Sequence, residues 1–237
     1  MEQTLKVTSV LADPTRFSIY QYITRMHKEV TVQEIADSFN IHPNVARLHL
    51  SKLEDVSMLV SETKKTGKGG RPSRLYRLSD EVVQLNFPFR DYKLLASIAI
   101  DSLLSLGEEG QNALYQTGRR FGHEMVEQES KYRSNTNREE MTFEEKLALV
   151  KSASSMQGFY PEFEVIEDGS TIFFTVYNCP FKEVADSENG HPVCTMHHSF
   201  FYGIFEEVFK DEPVDLKQQE RMTDGCAACT YKAVVTN

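Results

Sequence analysis

Thr31-Val32-Gln33-Glu34-Ile35-Ala36, followed by Asn40-Ile41-His42-Pro43-Asn44 and then Val45-Ala46-Arg47-Leu48-His49-Leu50-Ser51-Lys52-Leu53, reads as two short helices around a tight turn. Thr31 and Glu34 stand at capping-box spacing, where the hydroxyl accepts from an orphan backbone N–H and the carboxylate reaches back to the cap. Ile35, Ala36 and Phe39 give the first helix an apolar stripe, and Asn40 ends it. Pro43 suits the first turn of the second helix, because its missing N–H has no partner to lose there. Ala46, Leu50 and Leu53 recur at i, i+4 and i+7 and so face inward. The opposite face carries Asn44, Arg47, Leu48, Ser51 and Lys52, the kinds of side chain a helix needs to read a DNA major groove.

A helical hairpin with a solvated polar face would show the same pattern, so the residues that follow decide. Leu59-Val60-Ser61-Glu62-Thr63-Lys64 alternates like a strand, and Arg74-Leu75-Tyr76-Arg77-Leu78 reads as its partner. Between residues 64 and 77 stand Lys64, Lys65, Lys68, Arg71, Arg74 and Arg77 with no acid among them, so the hairpin tip can neutralise phosphates. A helix-turn-helix followed by a basic two-stranded wing is a winged helix.

Leu11-Ala12-Asp13-Pro14-Thr15-Arg16, the helix pair, His49-Leu50-Ser51-Lys52-Leu53-Glu54 and the wing's Gly70-Arg71-Pro72-Ser73-Arg74 resemble the DNA-binding domain of ArsR-like bacterial repressors over roughly residues 4 to 80. One departure stands out. Such proteins usually carry a glycine just after the recognition helix, where this chain has Val56-Ser57-Met58. The expected consequence is a strained turn into the wing, or a path one residue different.

Among 237 residues, 40% are hydrophobic and 15 are Phe, enough for two modest cores. The net charge of -9 suits a nucleic-acid binder only once it is divided along the chain. Residues 1 to 80 carry 12 Lys/Arg against 9 Asp/Glu, and residues 81 to 237 carry 14 against 26. The acid lies downstream, leaving a local basic surface at the DNA-binding end. No apolar run reaches the ~20 residues needed to cross a bilayer, and the N-terminus lacks a basic-then-apolar signal pattern. No membrane partner is expected, the expected location is the cytoplasm, and the cysteines are expected to be reduced there.

The expected fold class is α+β in three parts: a winged helix-turn-helix over 1–82, a helical linker and dimerisation region over 83–130, and an α+β sensor domain over 131–237. After Phe87-Pro88-Phe89, Asp91 can cap a helix bearing Leu94, Leu95, Ile98, Leu103 and Leu104, and a second helix runs from about Glu108 through Leu114, Phe121 and Met125 towards Glu129. Either core packing or dimerisation explains these stripes, and a symmetric double-stranded operator calls for a homodimer. Residues 128 to 141 are polar and aperiodic, and read as a mobile connection. Beyond them Phe143 to Met156 has helical spacing, Phe163–Ile166 and Thr171–Tyr177 read as a hairpin, His191 to Phe209 contains a helix, and Tyr231–Val235 closes the sheet.

All four cysteines, Cys179, Cys194, Cys226 and Cys229, sit in this last part with the spacing C-x14-C-x31-C-x2-C, at element boundaries or turns. Loop cysteines converging from separate places can surround one metal, whereas packing cysteines belong inside elements. Three readings stay open on spacing alone: free buried thiols, a tetrahedral structural zinc, and an iron-sulfur cluster. His197 and His198, three and four residues past Cys194 on one helix face, are further candidates to replace a cysteine.

Asn178-Cys179-Pro180-Phe181, then Cys194 heading a helix with Phe200 and Gly203, then Gly225 followed by Cys229-Thr230-Tyr231, resemble the C-terminal half of SufR-like iron-sulfur regulators, which join such a domain to a winged helix. The resemblance implies a 4Fe-4S cluster on Cys179, Cys194 and Cys229 in a homodimeric repressor whose affinity for operator DNA depends on the cluster. Cys226 lies outside that pattern, as a fourth ligand or as the residue that converts the site to zinc. The competing expectation is a small-molecule sensor with a structural zinc, in which Phe159, Phe173, Phe174, Phe200, Phe201 and Phe205 line an apolar pocket. No Gly-rich phosphate loop or nucleophile–base pairing is found, so an enzyme is not expected.

Overall fold

The structure is a computed structural model, and it describes residues 2–64, 73–83, 85, 88, 90–132, 141–155, 158–166, 170–185, 191–210 and 212–236. The chain divides into two compact units, Met1–Arg90 and Asp91–Asn237. It is α+β, with a helix-turn-helix and wing strands followed by helices and an α+β C-terminal part.

The first unit runs α1 (Glu2–Leu11), α2 (Pro14–Met26), β1 (Val30–Thr31), α3 (Val32–Phe39), α4 (Pro43–Glu54), β2 (Leu59–Lys64) and β3 (Ser73–Leu78). Helices α2, α3 and α4 each start at an identifiable cap. The Asp13 carboxylate accepts from the Arg16 backbone N–H at 2.8 Å ahead of Pro14, Thr31 and Glu34 form the expected capping box, and His42 Nδ1 accepts from the Asn44 N–H at 3.2 Å. Asn40 ends α3 in the left-handed conformation at φ 50°, with the Ile41 N–H reaching back to the Ala36 carbonyl. Ile19, Ile23, Ile35, Ala46, Leu50, Leu53 and Tyr76 close the core, and the sheet order β1-β3-β2 seats the wing hairpin on the strand that opens α3.

The departure at Val56-Ser57-Met58 resolves into a definite geometry. Ser57 takes φ 58°, the Met58 N–H bonds the Leu53 carbonyl at 3.0 Å, and the Ser57 N–H bonds the Glu54 carbonyl at 2.9 Å. That is the left-handed helix ending glycine favours, occupied here by a serine. Of the two expected outcomes, the strained turn is the one found.

The second unit comprises α5 (Tyr92–Leu104), α6 (Glu108–Tyr132), α7 (Phe143–Ser155), β4 (Glu162–Val165), β5 (Thr171–Val176), α8 (Lys182–Ala185), α9 (His191–Val208), β6 (Val214–Glu220) and β7 (Cys229–Val235), with a 3-10 turn at Met222–Asp224. Its antiparallel sheet has the order β4-β5-β7-β6. The final strand is therefore central rather than an edge, and β6, whose Val-Asp-Leu-Lys-Gln-Gln-Glu sequence carries too little apolar alternation to stand out, covers its far side. Helix α6 continues to Tyr132, past the residue 128 at which a mobile connection was expected to begin, and residues 133–140 of that stretch lie outside the described residues.

Helix α6 packs along α9 within the second unit. Three glycines allow the approach. A β-carbon on Gly118 would lie 2.4 Å from the Met196 carbonyl oxygen, one on Gly122 2.2 Å from that of Phe200, and one on Gly203 2.1 Å from that of Arg119. Backbone thus meets backbone where any larger residue would force the helices apart. Beside the crossing the Arg119 guanidinium grips the Glu206 carboxylate, and the His123 ring lies 3.0 Å from both Glu206 Oε2 and Glu207 Oε2.

Beneath α9, Phe159, Phe174, Phe201, Phe205 and Tyr231 pack ring on ring, with centroids 4.7–5.5 Å apart in the closest pairs. These residues are fully buried, and Phe200 nearly so. The phenylalanines expected to line an effector pocket therefore fill the core against one another, because stacked aromatic faces leave no room between them. Phe173 points to the other face of the sheet, beneath the Lys232 ammonium at 5.9 Å.

Candidate functional site

The outward face of α4 is the first candidate. Asn44, Arg47, Leu48 and Lys52 are exposed and Ser51 is half-buried, while Ala46, Leu50 and Leu53 turn inward, so the helix divides into an outward and a packing face. Val45 and Leu48 leave apolar side chains in solvent, at 42% and 55% exposure, while the same helix buries Ala46, Leu50 and Leu53. Lys52 sits 3.8 Å from Asp55, an exposed and weak pairing.

The wing residues divide. The Lys64 ammonium contacts Glu29 at 2.7 Å, and that partner raises its pKa, keeping it a cation while offsetting its charge. Arg74 donates to both Glu54 oxygens at 2.8 and 2.9 Å and to the Ser61 hydroxyl at 2.7 Å, and that hydroxyl donates to Glu54 at 2.6 Å. Its guanidinium fork is thus engaged in fastening the wing to the end of α4. Lys65, Lys68 and Arg71 lie outside the described residues.

His49 belonged to the matched sequence motif but not to the expected reading face, and it is buried. Burial holds its pKa below the ordinary histidine value, with Asp13 opposing and Arg16 reinforcing the shift. The ring packs as a neutral group behind α4.

The second candidate lies in the C-terminal unit. Cys179 follows β5, Cys194 stands in the first turn of α9, and Cys229 opens β7; all three line one narrow pocket together with His197, Phe181, Val193 and Met222. Register explains part of this convergence, since Val176 at the end of β5 pairs with Cys229. The helix supplies the rest, because Cys194 and His197 are one turn apart and share a face. Cys226, in the turn after Gly225, does not line the pocket. Among the described residues no three His, Cys, Asp or Glu side chains close on a single ion-sized point; these donors ring the pocket instead.

Its electrostatics are those of a dry thiol site. Burial raises the Cys229 thiol pKa, a shift opposed by the Met222 N–H, which donates to Cys229 Sγ at 3.4 Å, and reinforced by Cys194 and Cys226 nearby. Arg221 supplies a compensating positive charge and is held in place by Gln218 at 2.9 Å and by His191. His197 is pushed down to about 3 by burial, with His198 adding to the effect, so the ring is neutral; it stacks on Phe159 at 4.6 Å with Nδ1 3.6 Å from Cys179 Sγ. His198 is committed elsewhere, with Nε2 3.1 Å from the Leu216 carbonyl oxygen. Three thiols and a neutral imidazole in an apolar wall are soft donors of the kind thiophilic metals take, but among the described residues they form no group placed to hold a metal ion.

Residues 11–62 match a sequence model described as a helix-turn-helix domain, a span from the end of α1 into β2. No curated protein matches the chain in sequence. Among solved structures, the phenol-responsive sensory domain of the transcription activator PoxR, determined with phenol, is similar at 13% identity and a TM-score of 0.46, covering 80% of this chain and 89% of that one. A trafficking protein particle complex subunit 3 from Naegleria fowleri, covalently bound to palmitic acid, is similar at 12% identity and a TM-score of 0.40, covering 60% and 94%. Among the described residues no helix is long and apolar enough to cross a membrane.

Proposed function

We propose that the chain, which carries a helix-turn-helix domain over residues 11–62, is a transcriptional regulator, most simply a repressor, whose C-terminal unit senses a signal at the thiol-lined pocket and sets the affinity of α4 for operator DNA. One observation carries this reading: thiols from three segments, Cys179, Cys194 and Cys229, 15 and 35 positions apart in sequence, share one pocket wall with His197.

In the first form of the proposal, Cys179, Cys194 and Cys229 hold a 4Fe-4S cluster, a group that responds to oxidants and oxygen when bound. In the second, a structural zinc joins the same thiols and the effector is a small apolar molecule, a reading favoured by the Phe181, Ala185, Val193 and Met222 side chains on the pocket wall. In either form the cysteines tie the end of β5, the head of α9 and the start of β7 together. A displacement of α9 passes to α6, because the glycine crossing leaves no compressible side chains between the two helices. The exposed apolar face of α5, with Tyr92, Leu94, Leu95 and Ile98 all more than half exposed, is the surface we assign to a second copy of the chain, which a two-fold operator requires.

Purification without oxygen, with iron, acid-labile sulfide and zinc determined per chain, separates the two forms. DNA selected from a random pool is then titrated with the protein before and after chelation. A change of 100-fold corresponds to a coupling of about 2.7 kcal/mol between sensor and DNA sites. Equal affinities with and without metal, together with no response to small phenolic or aliphatic probes, would remove the sensing role.

A further inference from the structure

We propose that Val45 and Leu48 form an apolar patch on α4 that reads the methyl groups of thymines, so that operator affinity depends on thymine at the bases this patch meets. The inference rests on the reading of α4 as a DNA-binding helix and adds to it which base the apolar part of that helix selects.

Three observations converge on the patch. Val45 and Leu48 stand at i and i+3 in the first half of α4, so they share a face, and in a helix-turn-helix the N-terminal residues of the second helix are the ones that reach base edges. Both are left in solvent, whereas the other apolar residues of the helix pair that are not fully buried, Val32, Phe39 and Ile41, pack against the core of the unit. The patch is also surrounded by hydrogen-bonding side chains, with Asn44, Arg47 and Lys52 exposed and Ser51 half-buried.

Those surroundings choose the partner. An apolar protein surface laid on the patch would strip water from Asn44, Arg47 and Lys52 without replacing its hydrogen bonds. A major groove replaces them, with base-edge acceptors on its floor and phosphates along its walls. The one apolar group on that floor is the thymine methyl, so a valine and a leucine on a groove-facing helix have a single base to match. At ~1.5 Å per residue the two side chains lie about 4.5 Å apart along the helix axis, against ~3.4 Å between successive bases, so they address neighbouring steps.

Full-length protein is titrated with a site selected from random DNA, and each thymine of that site is replaced in turn by deoxyuridine, which keeps the base pair and lacks only the methyl group. Wild-type affinity is expected to fall about fourfold at one or more positions, the worth of one buried methyl-sized group. This scan needs no variant. Leu48→Ala and Val45→Ala are then compared on the thymine and uracil forms of those positions. Both sites are exposed and alanine is the best helix former, so an unchanged far-UV circular dichroism spectrum is expected. Each variant is expected to bind the thymine site more weakly than the wild type and to lose the preference for thymine over uracil at its own position while keeping it at the other. Equal wild-type affinity for thymine and uracil at every position, a selected site without thymine, or a thymine preference kept in full by both variants would overturn the inference while leaving α4 as a DNA-reading helix. A pool from which no site is enriched would overturn that reading and the inference with it.

Discussion

The two units of this chain solve the problem of making a site in opposite ways. In the N-terminal unit the candidate DNA-reading side chains of α4 come from nine consecutive positions, Asn44 to Lys52, and they work by staying out of the core. In the C-terminal unit the candidate donors come from Cys179, Cys194, His197 and Cys229 and meet only because a sheet register and a helix crossing bring them to one wall. The first is a surface property of one amphipathic helix; the second is a property of the packed interior. Damage to the core should therefore abolish the second site, while damage to the surface should abolish the first and leave stability untouched.

The largest expected effect tests the interior half of that contrast. Gly203→Val places a branched side chain against the Arg119 carbonyl oxygen, where even a β-carbon stands 2.1 Å away, so α6 and α9 must separate. A loss of about 3 kcal/mol or more from the second unit is expected, measured by urea unfolding, with metal binding lost alongside. A loss under about 1 kcal/mol would mean that the crossing yields more readily than its geometry requires.

Arg47→Ala is the complementary case. With Arg47 exposed on α4, unfolding should be unchanged within about 0.5 kcal/mol, while operator affinity falls by about 1 to 3 kcal/mol and sequence preference relaxes. Gel shifts on selected and random DNA check it. Equal losses on both would make Arg47 a phosphate contact and shift base reading to Asn44, Leu48 and Ser51.

The smallest effect sharpens the comparison at the junction between recognition helix and wing. Ser57 at φ 58° pays the steric penalty of the left-handed conformation, so Ser57→Gly should stabilise the first unit by about 1 kcal/mol with DNA affinity preserved. Destabilisation would show that the serine hydroxyl contributes more to the turn than its backbone costs.

How much of each site can be read before folding follows from the same contrast. The capping box at Thr31–Glu34, the inward Ala46, Leu50 and Leu53, the hairpin pairing of β2 with β3 and the departure at Ser57 are all legible in the chain, because each depends on neighbours a few residues away or on the period of a single element. Of the cysteines expected at loops and element boundaries, Cys179 and Cys226 lie outside helices and strands, whereas Cys194 falls within α9 and Cys229 within β7, both buried where packing cysteines are found. Four matters were decided only by tertiary structure. Arg74 is taken up by Glu54, twenty residues earlier, so a basic residue that looked available to phosphate is part of the scaffold. The phenylalanines pack into a core because their faces meet across α9 and the sheet, which no one-dimensional spacing specifies. Gly118, Gly122 and Gly203 make α6 a partner of α9, since the need for a missing side chain appears only when two backbones approach. Cys179, Cys194 and Cys229 share their pocket with His197 while Cys226, three residues from Cys229, stands outside it. Periodicity records which face of an element is apolar, but not what that face meets, and a site built across elements depends on the meeting.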